Sequence, residues 1–390
     1  MTPAARVQAA IEILDQYLSG TPAEQALTTW ARRSRFAGSK DRAAIRDHVF
    51  DALRCLRSYA RLGGSRDGRG LMIGACRAKG LDVGDLFNGL GHAPKPLTEK
   101  EKQISEIAWQ DAERLDLPDW LWPIFSKSLG QEAERVAVEL THRAPVFLRV
   151  NTRKATRTKI VAALRDEGIE TQPHPSSATC LEVQSGQRKI RNSAAFRDGL
   201  VELQDGASQA IVEQLGLDDG MRVLDYCAGG GGKTLAMAAA ADVEIHAHDA
   251  SSQRMRDLPE RARRAGINVS LLDTPNVRAK SPFDLVLCDA PCSGSGSWRR
   301  SPDGKWSLTE DGFRRILKTQ GDILDAAHGL VKSGGVLCYA TCSVLKPENE
   351  DQVCRFLSEH PGWSLERNYF WRLDDGTDGF FLAILQAPSN

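Results

Sequence analysis

The chain has 390 residues, long enough for two or three domains, each with its own core. Hydrophobic residues make up 41% and charged residues 26%, the balance of an ordinary globular protein rather than a disordered one. Basic and acidic side chains both number 51, so the net charge is zero and gives no bulk attraction to nucleic acid.

No apolar run approaches the roughly 20 residues that span a bilayer, and Met1-Thr2-Pro3-Ala4-Ala5-Arg6 lacks the apolar core of a secretory signal. A cytoplasmic monomer with no membrane partner is the expectation. Nine cysteines, an odd number in a long chain, argue against a disulfide framework.

In chain order, Ala4–Leu18 and Asp41–Leu62 place apolar residues at helical spacing, as at Ile45, Val49, Leu53 and Leu56. Residues 29–66 carry ten basic side chains (Arg32, Arg33, Arg35, Lys40, Arg42, Arg46, Arg54, Arg57, Arg61 and Arg66) against three acidic ones. Such an excess can contact phosphates or can equally be a solvated helix face. Gly63-Gly64-Ser65-Arg66-Asp67-Gly68-Arg69-Gly70 reads as a flexible break that cuts this helical unit short. Pro94 and Pro96 mark a boundary, and residues 100–142 read as helical again.

Val146–Val150, a helix at Arg157–Glu167 and Cys180–Val183 suggest a small α+β unit. From Met221 onward, strands at Arg222–Cys227, Glu244–Asp249, Val269–Leu272, Phe283–Asp289 and Gly335–Thr341 alternate with helices. That alternation signals a parallel sheet covered on both faces. Ser364–Trp371 and Gly379–Leu385 close as a pair around Asp374-Asp375-Gly376. The expected fold class is α/β. A Rossmann-like domain at 204–390 follows a small α+β unit at 146–203, a helical connector at 96–145 and a helical domain at 1–95.

The first of these strands runs into Cys227-Ala228-Gly229-Gly230-Gly231-Gly232-Lys233 and then an alanine-rich helix. A strand, a glycine turn and a helix start make a nucleotide-binding crevice, because glycine lets a ligand approach the backbone. Asp249, at the end of the next strand, can accept hydrogen bonds from both ribose hydroxyls. Asp273 and Asp289 end the third and fourth strands and face the same crevice. The pattern is shared with dehydrogenases and does not separate the two.

Cys288/Cys292 and Cys338/Cys342 both read C-x3-C at the ends of apolar runs. Residues four apart on a strand lie roughly 13 Å apart, so neither pair alone chelates a metal, and none is expected. Two longer segments discriminate between enzyme classes. One is Asp289-Ala290-Pro291-Cys292-Ser293-Gly294-Ser295-Gly296, continuing to Arg299-Arg300-Ser301-Pro302-Asp303-Gly304-Lys305-Trp306. The other is Tyr339-Ala340-Thr341-Cys342-Ser343, continuing to Pro347-Glu348-Asn349-Glu350.

These segments resemble those of the Sun/NOL/NOP2 family of RNA cytosine-C5 methyltransferases, whose signatures run D-A-P-C-S-G-x-G-x-x-R-R-x-P-D-x-K-W and Y-x-T-C-S followed by P-x-E-N-E. The likeness extends from about Pro145 to the C-terminus. It includes Leu203-Gln204-Asp205-Gly206-Ala207-Ser208 and Asp378-Gly379-Phe380-Phe381. Asp41-Arg42-Ala43 through Arg54 is similar to the NusB-like RNA-binding domain of the bacterial member that acts on small-subunit ribosomal RNA.

The resemblance implies a class I methyltransferase domain, an RRM-like small unit and a NusB-like N-terminal domain. It implies S-adenosylmethionine as cofactor and RNA, ribosomal RNA in particular, as partner. It makes Cys342 the nucleophile, with Cys292 assisting release. Residues 227–233, Asp249, Arg254, Asp273 and Asp289 then surround the cofactor. Arg299, Arg300 and Lys305 are candidates for RNA phosphate contacts, with a solvated loop as the plain alternative. Where the family has C-A-A-P-G-G-K, this chain has Gly229-Gly230 in place of Ala-Pro, which loosens the loop by ~0.5–1 kcal/mol per glycine.

The chemistry asks for these residue types on its own account. C5 of cytosine is a poor nucleophile until a thiolate adds at C6 and makes it enamine-like. Asp289 is placed to hold or supply a proton at N3. Rival readings are a transfer-RNA cytosine methyltransferase, a non-catalytic RNA-binding assembly factor and a dehydrogenase. The last leaves both cysteine motifs unexplained, and the presence of both cysteines with Asp225, Asp249, Asp273 and Asp289 argues against a decayed factor.

Overall fold

The computed structural model describes residues 1–103 and 108–389. The chain forms two compact units, Met1–Arg143 with Trp298–Thr309, and Ala144–Ser297 with Glu310–Asn390. The short segment Trp298–Thr309 therefore belongs to the N-terminal unit although it is flanked on both sides by the other.

The first unit is helical. Helix Pro3–Leu18 starts at Thr2, whose hydroxyl accepts from the Ala5 amide, and Pro3 has no N–H left to satisfy. Val7, Ala10, Ile13 and Leu14 from this helix pack with Ile45, Val49, Leu53 and Leu71 in one core. The helical stretch expected over Asp41–Leu62 is two helices, Ser39–Arg54 and Leu56–Gly63. The second is capped from a distance: the Asp116 carboxylate accepts the Arg57 and Ser58 amides at 2.7 and 2.9 Å. Periodicity could not show that partner.

The glycine-rich run is not a flexible break. It is a tight turn between two helices: Leu56–Gly63 ends at its start, Gly68–Ala78 begins within it, and the two pack at backbone distance. A Cβ at Gly63 would lie 1.8 Å from the Gly70 carbonyl oxygen, and one at Gly74 would lie 1.9 Å from that of Tyr59. These glycines permit close helix contact, so the helical unit is not cut short there. Short helices follow at Glu99–Lys102, Asp111–Arg114, Trp122–Leu129 and Ala133–Glu139. Within the helical reading of 100–142, residues 104–107 lie outside the described residues.

The second unit contains two sheets. Strands β1 (Phe147–Val150), β2 (Glu170–Pro173), β3 (Cys180–Ser185) and β4 (Val201–Leu203) form a four-stranded antiparallel sheet in the order β2-β3-β1-β4. Leu148, Val150, Leu181 and Val183 turn onto Ile160 and Leu164 of helix Arg157–Asp166.

The larger sheet comprises β5 (Arg222–Asp225), β6 (Glu244–His248), β7 (Ser270–Leu272), β8 (Phe283–Asp289), β9 (Val331–Thr341), β10 (Ser364–Trp371) and β11 (Phe380–Gln386). Its order is β10-β11-β9-β8-β5-β6-β7. β9, β8, β5, β6 and β7 are parallel, and β11 and β10 add antiparallel edges. The near-continuous apolar runs of β5 and β8 follow from burial on both faces, with Leu285 and Leu287 on one side and Val286 and Cys288 on the other. The C-terminal ends of β5, β6, β8 and β9 carry the loops described next.

Candidate active site

β5 ends at Asp225, which is fully enclosed and accepts from the Thr234 hydroxyl at 2.6 Å. Burial raises its carboxyl pKa to about 7, with the Thr234 hydrogen bond opposing and Asp289 adding to the rise. The turn that follows needs glycine at two places. Gly229 and Gly231 have φ of 50° and 78°, and a Cβ at Gly231 would sit 2.2 Å from Leu258 Cδ1.

Where the family pattern has Ala-Pro, the loop is held from outside. The Gly229 amide donates to Asp249 Oδ2 at 3.0 Å, and Arg261 donates to the Gly230 carbonyl while pairing with Glu202. Asp249 also accepts the Ser251 amide at 2.9 Å and faces Arg254 at 3.2 Å. Arg149 from β1 donates to the Gly232 carbonyl at 2.7 Å, tying the small sheet to this turn. Arg261 and Arg149 escaped the sequence reading. Arg261 looks like any charged helix residue, and Arg149 sits in an otherwise apolar strand.

Lys233, 6% exposed, points from the start of helix Gly232–Ala240 to Asp289 Oδ2 at 2.7 Å. Burial works against its charge, but the Asp289 carboxylate outweighs this and holds the ammonium above its ordinary range. The Cys342 sulfur adds in the same direction. Cys292 and Cys342 come from different loops, after β8 and β9, and their Sγ atoms lie 3.3 Å apart. The Cys292 thiol is pushed well up by its hydrogen bond to Cys342 and by burial, so it keeps its proton beside the other sulfur. Cys288 and Cys338 are sealed inside their strands, and burial raises both thiols.

A cleft of about 580 Å³ brings these groups together. Its walls include Gln204, residues 227–230, Lys233, Arg254, Asp289, Cys292 and Cys342. That volume suits a small-molecule site. Asp273, at the end of β7, caps helix Thr274–Lys280 and accepts the Asn276 amide at 2.9 Å; neither it nor Asp249 is among the residues lining the cleft.

The three cations proposed for RNA contact fare differently. Lys305 is 1% exposed and donates to the Arg54 carbonyl at 3.2 Å; Arg299 is 3% exposed, and its own carbonyl accepts from Arg54 Nε at 2.7 Å. Both are interior parts of the helical unit, so a phosphate-binding role for them is set aside. Arg300 is half-buried. Of the basic stretch, Arg54 is likewise interior, whereas Arg32, Arg33, Arg35, Lys40 and Arg42 are exposed.

An open parallel sheet whose strand ends hold a glycine turn, an ion-paired acid and two touching cysteines defines a methyltransferase with thiol chemistry. Comparison with known proteins narrows the class. Residues 212–386 match the model of the 16S rRNA methyltransferase RsmB/F family, and residues 117–188 match the ferredoxin-like domain of RsmF/B-like methyltransferases. Ribosomal RNA small subunit methyltransferase B of Citrobacter koseri is 33% identical over 298 residues, 75% of this chain and 69% of that one. Its counterpart in Serratia proteamaculans is 30% identical over 327 residues, 80% of this chain and 75% of that one. The crystal structure of PH0851 covers 99% of both chains at a TM-score of 0.79 and 25% identity. NSun6 from Pyrococcus horikoshii shares the fold over 70% of this chain and 99% of that one, with a TM-score of 0.63 and 20% identity. The chain belongs to the RsmB/F methyltransferase family.

Proposed function

We propose that this protein methylates C5 of a cytosine in 16S ribosomal RNA, with Cys342 as nucleophile and S-adenosylmethionine as methyl donor, acting as a monomer in the cytoplasm. The observation that carries the reading is the 3.3 Å approach of Cys292 and Cys342 in the cleft that also holds the glycine turn. Among the described residues no helix is long and apolar enough to cross a membrane.

The residues fit the donor. Residues 229–232 offer a turn without side chains, and Asp249 with Arg254 forms a charged pair at the adjoining strand end. When bound, S-adenosylmethionine supplies an electrophilic methyl group. The chain supplies the rest. Lys233 places a fixed positive charge in the cleft that also holds the Cys342 sulfur. Cys342 adds to C6 of the ring, and C5 gains the electron density to take up the methyl group. Asp289, held by Lys233, is positioned to hold the N3 proton while the ring is saturated. Loss of the C5 proton to solvent then expels Cys342 as thiolate, and Cys292 is the side chain within contact distance to protonate the departing sulfur. The base must leave its stack to reach such a cleft, so the target is a single-stranded or flipped cytosine.

Replacing the cysteines singly tests this. Cys342→Ala should abolish methylation and form no covalent complex with 16S RNA. Cys292→Ala should still attack and transfer methyl, then stall as an adduct that survives denaturing electrophoresis. The opposite pattern would exchange their roles, and full activity in both variants would remove the covalent mechanism.

A further inference from the structure

Beneath the two cysteine loops lies a carboxylate that the chemistry above does not use. Glu348 is 0% exposed. Its Oε1 accepts the Ser293 amide at 2.7 Å and Gln320 Nε2 at 3.1 Å. Its Oε2 accepts the hydroxyls of Ser293 and Ser343. Ser293 follows Cys292 and Ser343 follows Cys342, so one side chain grips the residue after each cysteine. Gln320 carries the grip further, because its Nε2 also donates to the Pro291 carbonyl at 3.0 Å, just before Cys292.

The hydrogen bonds run in one direction. The Val344 amide donates to Ser295 Oγ at 3.0 Å, and Ser295 Oγ meets Ser343 Oγ at 2.8 Å. The Leu345 amide donates to Ser343 Oγ at 3.0 Å and the Ser295 amide to Ser293 Oγ at 3.2 Å. With these amides donating into the serines, the two hydroxyls beside Glu348 are left to donate onward to it. Four donors converge on one acid, an arrangement that an acceptor-only carboxylate satisfies and an amide or a protonated acid does not. Burial pushes the Glu348 carboxyl up, and these donors oppose the rise. The backbone around it is fixed too: Tyr339 Oη donates to the Glu348 carbonyl at 2.7 Å, and Thr341 Oγ1 to Asn349 Oδ1 at 2.6 Å.

We propose that Glu348 is a positioning residue that clamps the Cys292 loop to the Cys342 loop and keeps Cys292 the protonated partner of the pair. The inference rests on the two-cysteine chemistry proposed above and adds the element that divides the roles. A buried negative charge beside Cys292 disfavours a second one on its sulfur, and the contact with Cys342 acts in the same sense. The other charged groups lining that cleft are Lys233, Asp289, Arg254 and Arg261.

Thiol alkylation by iodoacetamide, followed residue by residue with mass spectrometry from pH 6 to 10, tests the clamp on the full chain without RNA. Exposed Cys354 serves as the internal standard. Glu348→Gln keeps the shape and removes the charge. It should move the Cys292 alkylation profile to lower pH and make Cys292 several-fold more reactive, with Cys354 unchanged and S-adenosylmethionine still bound. Ser343→Ala, a milder lesion that removes one strand of the clamp, should shift the profile in the same direction by less, and covers the case in which Glu348→Gln does not fold. An unchanged Cys292 profile in a folded variant would overturn the proposal. Adduct trapping with 16S RNA separates this from failure of the function itself: loss of adduct in wild type and in Cys292→Ala would refute the covalent reading, whereas the alkylation profile reports on the clamp alone.

Discussion

The two halves of one continuous motif have different fates. Asp289–Ser297 lies in the unit that holds the cleft, where Asp289 meets Lys233 and Cys292 meets Cys342. Trp298–Thr309 lies in the helical unit, where Trp298 and Lys305 are each 1% exposed and Trp306 Nε1 donates to the Leu53 carbonyl at 2.6 Å. A run of residues that reads as one functional signature therefore lines the cleft in its first half and packs the helical unit in its second. Basic residues near a motif cysteine suggest phosphate, yet Arg299 and Lys305 are enclosed inside the protein.

The sharpest way to break that comparison is Trp298→Ala. Truncating a buried tryptophan removes ~3–5 kcal/mol of packing, here from the helical unit. Chemical denaturation should show the loss, while calorimetry should find S-adenosylmethionine affinity unchanged. A large fall in cofactor affinity with stability intact would assign Trp298 to the cleft instead.

A substitution on the other side of the comparison should do the reverse. Asp249 accepts two backbone amides and pairs with Arg254 at the cofactor turn. Asp249→Ala should weaken S-adenosylmethionine binding by about 1.5–3 kcal/mol, the range for hydrogen bonds to a charged group. Calorimetry on the folded variant checks this, and unchanged affinity would take Asp249 out of the binding site.

Much of the second unit was legible in the sequence because its signals are local. Strand ends in a parallel sheet converge, so Asp249, Asp289, Cys292 and Cys342 could be placed at one edge from pattern alone, before any contact was known. The boundaries were less clear: β9 begins at Val331, four residues before the expected Gly335, since Lys332 and Ser333 break the apolar run. What the sequence could not show was contact across distance. Arg54 and Arg299 stand 245 positions apart, and nothing local marks them as neighbours. The glycines at 63 and 70 illustrate the same limit, for they read as a flexible break and in fact, with Gly74, let two helices touch. Glu348 sat in plain view within a quoted motif, but its role depends on Ser293, 55 positions away.

The subtlest expected effect is electrostatic and again separates packing from chemistry. Lys305 is enclosed by the helical unit, with its ammonium 4.7 Å from the centre of the Trp306 ring. Burial lowers its pKa from the ordinary 10.5 to about 8, against the pull of Asp116 and Cys55, with Arg54 adding to the fall. A lysine whose folded pKa lies below its unfolded one binds fewer protons when folded. The unfolded state is then the more protonated between about pH 8 and 10.5, and stability rises with pH across that window. Cys55 works the other way: burial raises its thiol to about 12, so the folded state holds that proton longer than the unfolded one, and its contribution, like that of the other buried thiols, falls as pH rises. The lysine's own share of the unfolding free energy should therefore rise by about 1 kcal/mol between about pH 7.5 and 9, read as the difference between wild type and Lys305→Met so that the thiols cancel. Lys305→Met, which fills similar volume without the charge, should lose that share and leave cofactor affinity alone. A wild-type minus Lys305→Met difference that does not change with pH would mean that Lys305 does not titrate in that window, and a change of opposite sign would mean that Lys305 is charged and stabilised where it lies.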